Sequence, residues 1–565
     1  MSPESSHPVN VVLCWHMHQP QYQNQLTHEY YLPWTYLHAI KDYTDMAAAL
    51  EHNPRGRAVV NFTPVLLEQI EDYVQQFNAY FELGHPFNDP LLQALSASTI
   101  GATPELRLQV IQQCIKANES RLIQRFPDYE NLVSLANVCL DNPRQLGYLD
   151  EQFFFDLLVW YHLAWMGEHA RINNNAIQRL IQKGNSFRFS DRKELLHQIQ
   201  QQLSGIIPRY RKLAENNQIE LCVSPDNHPI LPLLLDFEST LEAMPDAKMP
   251  EFSCYPGGKE RADQHIKNSL SIFKRHFGLT PAGCWPSEGS ISDAALARLQ
   301  KAGFLWAASG GGVLQNSLKL SQMEDACIHK SFTHSSSSIR CFYRDDNLSD
   351  LIGFNYSTWR AEDAVKDLVH HILNIRSCCG YKKDTIVPII LDGENCWEYY
   401  PENGRLFLEH LYAELSQHPD IHLTTFKDYL QQPFKPTHLP NLVSGSWVYG
   451  NFATWIGDPS KNRAWDLLCQ AKVDFDKTTL SGRLSAASLK QAEHQLAICE
   501  GSDWFWWFGD YNPSESVQNF DSLFRIHLKN LYCLLGEPPP DALNSVISVG
   551  GGEAENAGTM RRAQG

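Results

Sequence analysis

Two acids close short apolar runs in this chain: Glu288 in "GCWPSEGSIS" (283–292) and Asp392 in "VPIILDGENCWEYY" (387–400). An acid placed where a strand gives way to a loop is available for chemistry, and each is flanked by an indole, Trp285 in one case and Trp397 in the other. Two such carboxylates at one mouth, among aromatic rings and without a glycine-rich phosphate cradle, fit cleavage of a glycosidic bond. One protonates the leaving oxygen while the other stabilises or captures the developing oxocarbenium ion. The bland alternative is local: Asp392 and Glu394 would then form a network that orders a loop.

Other apolar runs end on polar groups in the same way. "WHMHQPQY" gives His16 and His18, which are two apart and share one face of a strand. "SPDNHPILPLL" gives Asp226 and His228, with a helix cap as the alternative role for Asp226. "IRCFYR" ends at Arg344. A rival from another enzyme class uses the same residues: His16 and His18 as a two-histidine metal pair, completed by His228 and Asp392, in a metal-dependent hydrolase or deacetylase. That reading leaves Glu288 and the aromatic motifs idle. A non-catalytic sugar-binding protein is a third possibility, which the paired acids argue against.

The elements that must position these groups are short apolar runs separated by helical stretches: 9–15, 57–62, 219–224, 282–285, 303–309, 339–344, 385–391 and 421–426. Runs apolar on both faces indicate parallel strands covered on both sides, and about eight of them predict an irregular or incomplete β/α barrel. Active groups gather at the C-terminal ends of such strands. A helical insert is predicted at about 66–215, including a buried helix over 151–166 and a further helix capped by Asp191. After about 435 three helical segments follow. The expected organisation is a catalytic barrel over 1–435, a C-terminal helical domain over 436–540 that completes the cleft, and a disordered Gly-rich tail over 541–565.

A formal charge of −17 argues against binding nucleic acid, and no apolar stretch is long enough to span a membrane. The opening "MSPESSHPVN" lacks the cationic and apolar regions of a secretory signal, so a cytoplasmic protein is expected. The 14 cysteines show no paired zinc spacing and fit buried reduced thiols, with the vicinal pair Cys378 and Cys379 expected to be inert.

Five separated motifs, in order, resemble those of glycoside hydrolase family 57: "HMHQP" (16–20), "IELCVSPDNHPILPLL" (219–234), "GCWPSEGSIS" (283–292), "IILDGENCWEYY" (389–400) and "GSWVYGNFATWIGD" (445–458). The resemblance is closest to the amylopullulanase and α-amylase type and covers roughly 8–535. It implies an incomplete (β/α)7-type barrel followed by a helical bundle, one strand fewer than the eight runs. It assigns Glu288 as nucleophile and Asp392 as general acid/base, with His228 in the family's histidine position. Trp447 and Trp455 come from the fifth motif, and "SDWFWWFGD" (502–510) adds Asp503 and Trp504. His16, His18, Asp226, Trp285, Arg344, Glu394 and Trp397 complete the expected sugar-binding set. The implied activity is retaining hydrolysis of α-1,4 and potentially α-1,6 bonds of an α-glucan, with no cofactor or metal. 4-α-Glucanotransferase and branching activity are the alternatives within the family.

Overall fold

The computed structural model describes residues 7–101, 103–335 and 337–552. Its centre is a curled sheet of β1 (Val9–Met17), β2 (Ala58–Phe62), β3 (Ile219–Val223), β4 (Gly283–Cys284), β5 (Trp306–Ser309), β6 (Phe332–His334), β7 (Arg340–Tyr343), β8 (Ile386–Asp392), β9 (Ile421–Leu423) and β10 (Thr437–Leu439). The order along the sheet is β10-β6-β7-β5-β4-β3-β2-β1-β8, and only the β6–β7 pairing is antiparallel. The continuous apolar runs follow from this layout. All nine residues of β1 are buried, as a parallel strand covered on both faces requires.

Seven of these strands, β1 to β5 with β7 and β8, form the incomplete (β/α)7-type barrel. The run 421–426 is the one that falls outside: β9 pairs only with the first residues of β1, and the following helix Phe426–Leu430 plugs the bottom. Between β7 and β8 there is no ladder. The seam is held by single bonds, from the Asp345 N–H to the Pro388 carbonyl (2.8 Å) and from the Ile386 N–H to the His329 carbonyl (3.0 Å). Pro388 explains the gap. Its carbonyl faces the seam, so its missing N–H is lost on that same side, and a regular ladder cannot form there.

Alternation along the strands builds the barrel interior in layers. Val12, Cys14, Val59, Cys222, Ile386, Ile390, Trp285 and Trp306 form an apolar plug. One step further toward the C-terminal ends, the same faces carry His16, Asn61, Ser224 and Asp392, and the register sets His16 directly beside both Asn61 and Asp392. β4 is only two residues long, and glycine is required in it: a Cβ on Gly283 would meet the Trp306 ring at 1.8 Å.

The stretch between β2 and β3 is helical, from Pro64–Leu83 to Phe189–Glu215, and includes the buried helix Glu151–Trp165. Asp191 is not the cap of the last of these helices; it lies in the first turn and accepts the Arg188 N–H at 2.7 Å. The helices Pro459–Leu480, Ala486–Cys499 and Ser514–Leu535 follow the barrel. Residues 541–552 pack against them, with Ile547 and Ser548 buried, where composition had indicated a tail; 553–565 lie outside the described residues. No helix among the described residues is long and apolar enough to cross a membrane.

Candidate active site

Glu288 sits four residues past β4, in the short turn Ser287–Gly289, with φ of 57°. That left-handed conformation is uncommon for any residue but glycine or asparagine, and its cost is borne by the surroundings. The Glu288 carbonyl accepts the Trp447 N–H (3.0 Å), and Oε2 accepts the Trp447 indole N–H (2.9 Å). Oε1 stands 3.8 Å from His228 Nδ1. One residue of the fifth motif thus grips the acid at both its backbone and its side chain.

Asp392 ends β8 and accepts the Asn395 side-chain amide at 2.6 Å. Glu394 accepts the His18 N–H and the Gln19 amide, both at 3.3 Å, through Oε1, while its buried Oε2 has no partner. His16 Nδ1 lies 2.6 Å from Asn61 Oδ1. His18 meets Thr63 Oγ1 through Nδ1 (3.0 Å) and Asp503 through Nε2 (2.8 Å). His228, also at positive φ, meets Ser502 Oγ through Nδ1 (3.0 Å) and leaves its buried Nε2 unpartnered. The three imidazoles stack nearly parallel, His18 and His228 with centroids 3.9 Å apart. Burial, and then the neighbouring rings, holds His16 at about 3 and His228 well below the ordinary range. Both are neutral hydrogen-bonding groups at physiological pH.

Glu288 and Asp392 line one cleft with His16, His18, Glu394, Trp447 and Asp503. Burial, and next the charge of Asp392, raises Glu288 to about 8; burial raises Asp392 to about 6. The consequence for the pair is a single retained proton between those values. Of the two, Glu288 is held the higher, the opposite of the roles the resemblance implies.

The remaining expected residues lie elsewhere. Asp226 lines a separate cavity and accepts from Asn268 at 3.0 Å. Trp285 is buried in the barrel plug, its ring edge-on to Trp447 with centroids 5.2 Å apart. Arg344 sits beneath the Trp447 ring, 5.6 Å from its centroid, and is spent on Asp346, Asp350 and the Ile390 carbonyl. It can position Trp447 but does not reach the cleft. Trp397, Trp455 and Trp504 are interior residues that offer no free face: Trp397 packs on Trp15, Trp455 is fully buried, and Trp504 donates to the Ile498 carbonyl.

Sequence reasoning missed much of the cleft wall. Gln19, Tyr22 and Asn395 line it, and Trp34 and Lys116 come from the segments before and within the insert. Trp506, Trp507, Asn519 and Phe520 come from the C-terminal helices. Gln19, Trp506 and Trp507 stood inside motifs already singled out; nothing local marks Trp34 or Phe520.

The profile of glycosyl hydrolase family 57 matches residues 12–443. The chain belongs to glycosyl hydrolase family 57. Solved structures show the same fold at low identity. A family 57 branching enzyme from Thermococcus kodakaraensis is 14% identical over 93% of this chain and 90% of its own, with a TM-score of 0.59. The branching enzyme of that type from Pyrococcus horikoshii is 16% identical over 97% and 98%, with a TM-score of 0.56. An α-amylase from Thermotoga maritima is 13% identical over 95% and 96%, at 0.55. A family 57 enzyme is a glycosidase or transglycosidase, so the two half-buried acids of the cleft have a reaction class to serve.

Proposed function

We propose that this family 57 enzyme cleaves α-glucosidic bonds of an α-glucan by double displacement. Glu288 attacks the anomeric carbon to form a β-glycosyl-enzyme. Asp392 protonates the departing oxygen and then deprotonates the acceptor. The observation that carries this reading is the pair itself: two half-buried carboxyl groups facing one cleft, each raised above its ordinary range by its surroundings. Substrate supplies the reason for the proton to move to Asp392. A leaving oxygen accepts a hydrogen bond only from the protonated acid, and positive charge growing at the anomeric carbon favours ionised Glu288, whose Oε2 the Trp447 N–H already holds.

The Glu394 carboxyl on the cleft wall, whose Oε2 is unpartnered, is suited to a sugar hydroxyl, as buried polar atoms seek partners. The half-exposed faces of Trp506 and Trp507 on the cleft wall give flat apolar surfaces for glucose rings. That aromatic wall favours a second reading, transfer to a sugar acceptor in place of water.

Incubation with maltoheptaose and with pullulan in buffer containing EDTA tests both the class and the metal rival. Activity is expected to persist with verified metal-free protein, because two carboxylates suffice for this chemistry. Shorter maltodextrins alone indicate hydrolysis, and longer or branched products indicate transfer. Loss of activity restored only by zinc would favour the metal reading; His18, His228 and Asp503 do bring three ligand atoms within 4.8 Å of one another.

The tryptophans separate into two kinds by the same assay. Trp507→Ala is expected to raise KM for long maltodextrins roughly tenfold, about 1–1.5 kcal/mol. Trp455→Ala removes an interior ring, so it is expected to lower the melting temperature, with about 3–5 kcal/mol of stability lost, and to leave KM within about twofold. A raised KM with unchanged stability for Trp455→Ala would return that ring to the cleft.

A further inference from the structure

Away from the cleft, the structure gathers three groups at the unladdered seam of the barrel. The segment ahead of β6 carries Cys327 and His329, and Cys379 meets them from the C-cap of the helix Ala361–Cys378. The two sulfurs are 3.2 Å apart, a thiol hydrogen bond between residues 52 apart in the chain, and both are half-buried. His329 Nε2 lies 2.9 Å from Asp345 Oδ2. Asp345 and the His329 carbonyl are the same groups whose backbone bonds hold β8 across the seam. By contrast Cys14 and Cys222 are plain core residues of the barrel plug.

The division of labour follows from the surroundings. Burial alone would lower the His329 imidazole, but the hydrogen bond and charge of Asp345, together with Cys327, lift it to about 9. The bond from Cys379, and next the His329 contact, bring Cys327 down to about 4, while Cys379 is pushed up. One sulfur is therefore a thiolate beside an imidazolium and the other a thiol in contact with it, the arrangement of an attacking and a resolving cysteine. A metal would find two sulfurs and one nitrogen here, one donor short of the four that structural zinc takes.

We propose that Cys327 and Cys379 form a reversible oxidation site, closed to a disulfide by a hydroperoxide such as hydrogen peroxide, that fastens the β7–β8 seam. The Cys327 thiolate attacks one peroxide oxygen; the S–O bond forms as the O–O bond breaks, and the hydroxide released takes the proton from imidazolium to leave as water. The Cys379 sulfur then attacks the sulfenic sulfur. The S–S bond forms as the S–O bond breaks, and the departing oxygen leaves as a second water with the Cys379 proton. Two thiols lose two electrons in all, and the peroxide gains them.

The test treats the reduced full chain with dilute hydrogen peroxide, blocks remaining thiols with N-ethylmaleimide and maps the peptides. The expected product is a Cys327–Cys379 linkage reversed by dithiothreitol, with exposed Cys254, Cys378 and Cys533 still alkylated. Closure is expected to raise Tm by a few degrees, since a cross-link restricts the unfolded chain. In Cys379→Ser the sulfenic acid should persist on Cys327 and be trapped by dimedone, and His329→Gln should slow closure roughly tenfold or more by depleting thiolate. A Cys327–Cys378 linkage, or oxidation of Cys254 and Cys533 as fast as Cys327, overturns the proposal. So does one equivalent of zinc that stays with the chain through gel filtration and shields these thiols.

Discussion

Glu288→Gln and Asp392→Asn are each expected to fold with the parent's thermal stability or better and to lose at least ~10²-fold in kcat on maltodextrins. The isosteric changes keep the cleft's shape, and the Trp447 indole that donates to Glu288 Oε2 finds an amide oxygen in its place. Stability should not suffer, because both acids are held by burial above their ordinary range, which makes their ionised forms a cost to the fold. The two roles separate under azide. In Glu288→Ala the anion can occupy the space of the missing nucleophile and attack the anomeric carbon directly, giving a glycosyl azide of inverted, β configuration. In Asp392→Ala the nucleophile survives, so azide intercepts the β-glycosyl-enzyme and gives the α-azide with an activated substrate. Near-parental turnover in either isosteric variant would remove that acid from the mechanism, and exchanged azide stereochemistry would exchange their roles.

The second large effect is on pH. The pair must carry one proton to work, and that state exists between about 6 and about 8. Below this window both carboxyls are protonated and no nucleophile remains; above it both are ionised and no acid remains. A bell-shaped kcat/KM is expected, with a rate that falls about tenfold per pH unit beyond each limb. Removing one charge should also move the other group: in Asp392→Asn the charge that opposes ionisation of Glu288 is gone, so its carboxyl should titrate lower, which carbon-labelled NMR reads directly. A flat profile from pH 5 to 9, or a Glu288 titration unmoved by Asp392→Asn, would mean that the two acids do not act as a pair.

The grouping of the candidate site's acids and histidines was legible in the sequence because strand alternation and strand ends are local signals. Val12, Cys14 and His16 share a face by parity alone, and Glu288 and Asp392 stand where apolar runs stop. The barrel was legible for the same reason, down to one run too many. Pro388 lies in the run 385–391, which reads simply as a strand, and it is there that the barrel is held by single bonds. The tryptophans were not legible. An indole in a motif can stack on a sugar or fill a core, and only burial separates Trp455 and Trp504, which are interior, from Trp506 and Trp507, which face the cleft. Nor does any local pattern bring Asp503 to His18 across 485 positions, or Cys379 to Cys327. Glycine content misled at 541–552, where the small residues allow close packing: Gly550 lies against Val517 and Asn512 with no room for a Cβ.

The measurement that bears most directly on Glu288 as nucleophile is the anomeric configuration of the first product. A nucleophile requires the two carboxyl groups about 5–5.5 Å apart, whereas an acid and base that work around a water stand roughly 6.5–9.5 Å apart. Two displacements, each inverting the anomeric carbon, restore the starting configuration. Proton NMR in the first minutes of a fast reaction on maltoheptaose, before mutarotation, should therefore show the α-anomeric proton of the newly released reducing end growing first. An initial β signal would contradict the double displacement and with it the role of Glu288.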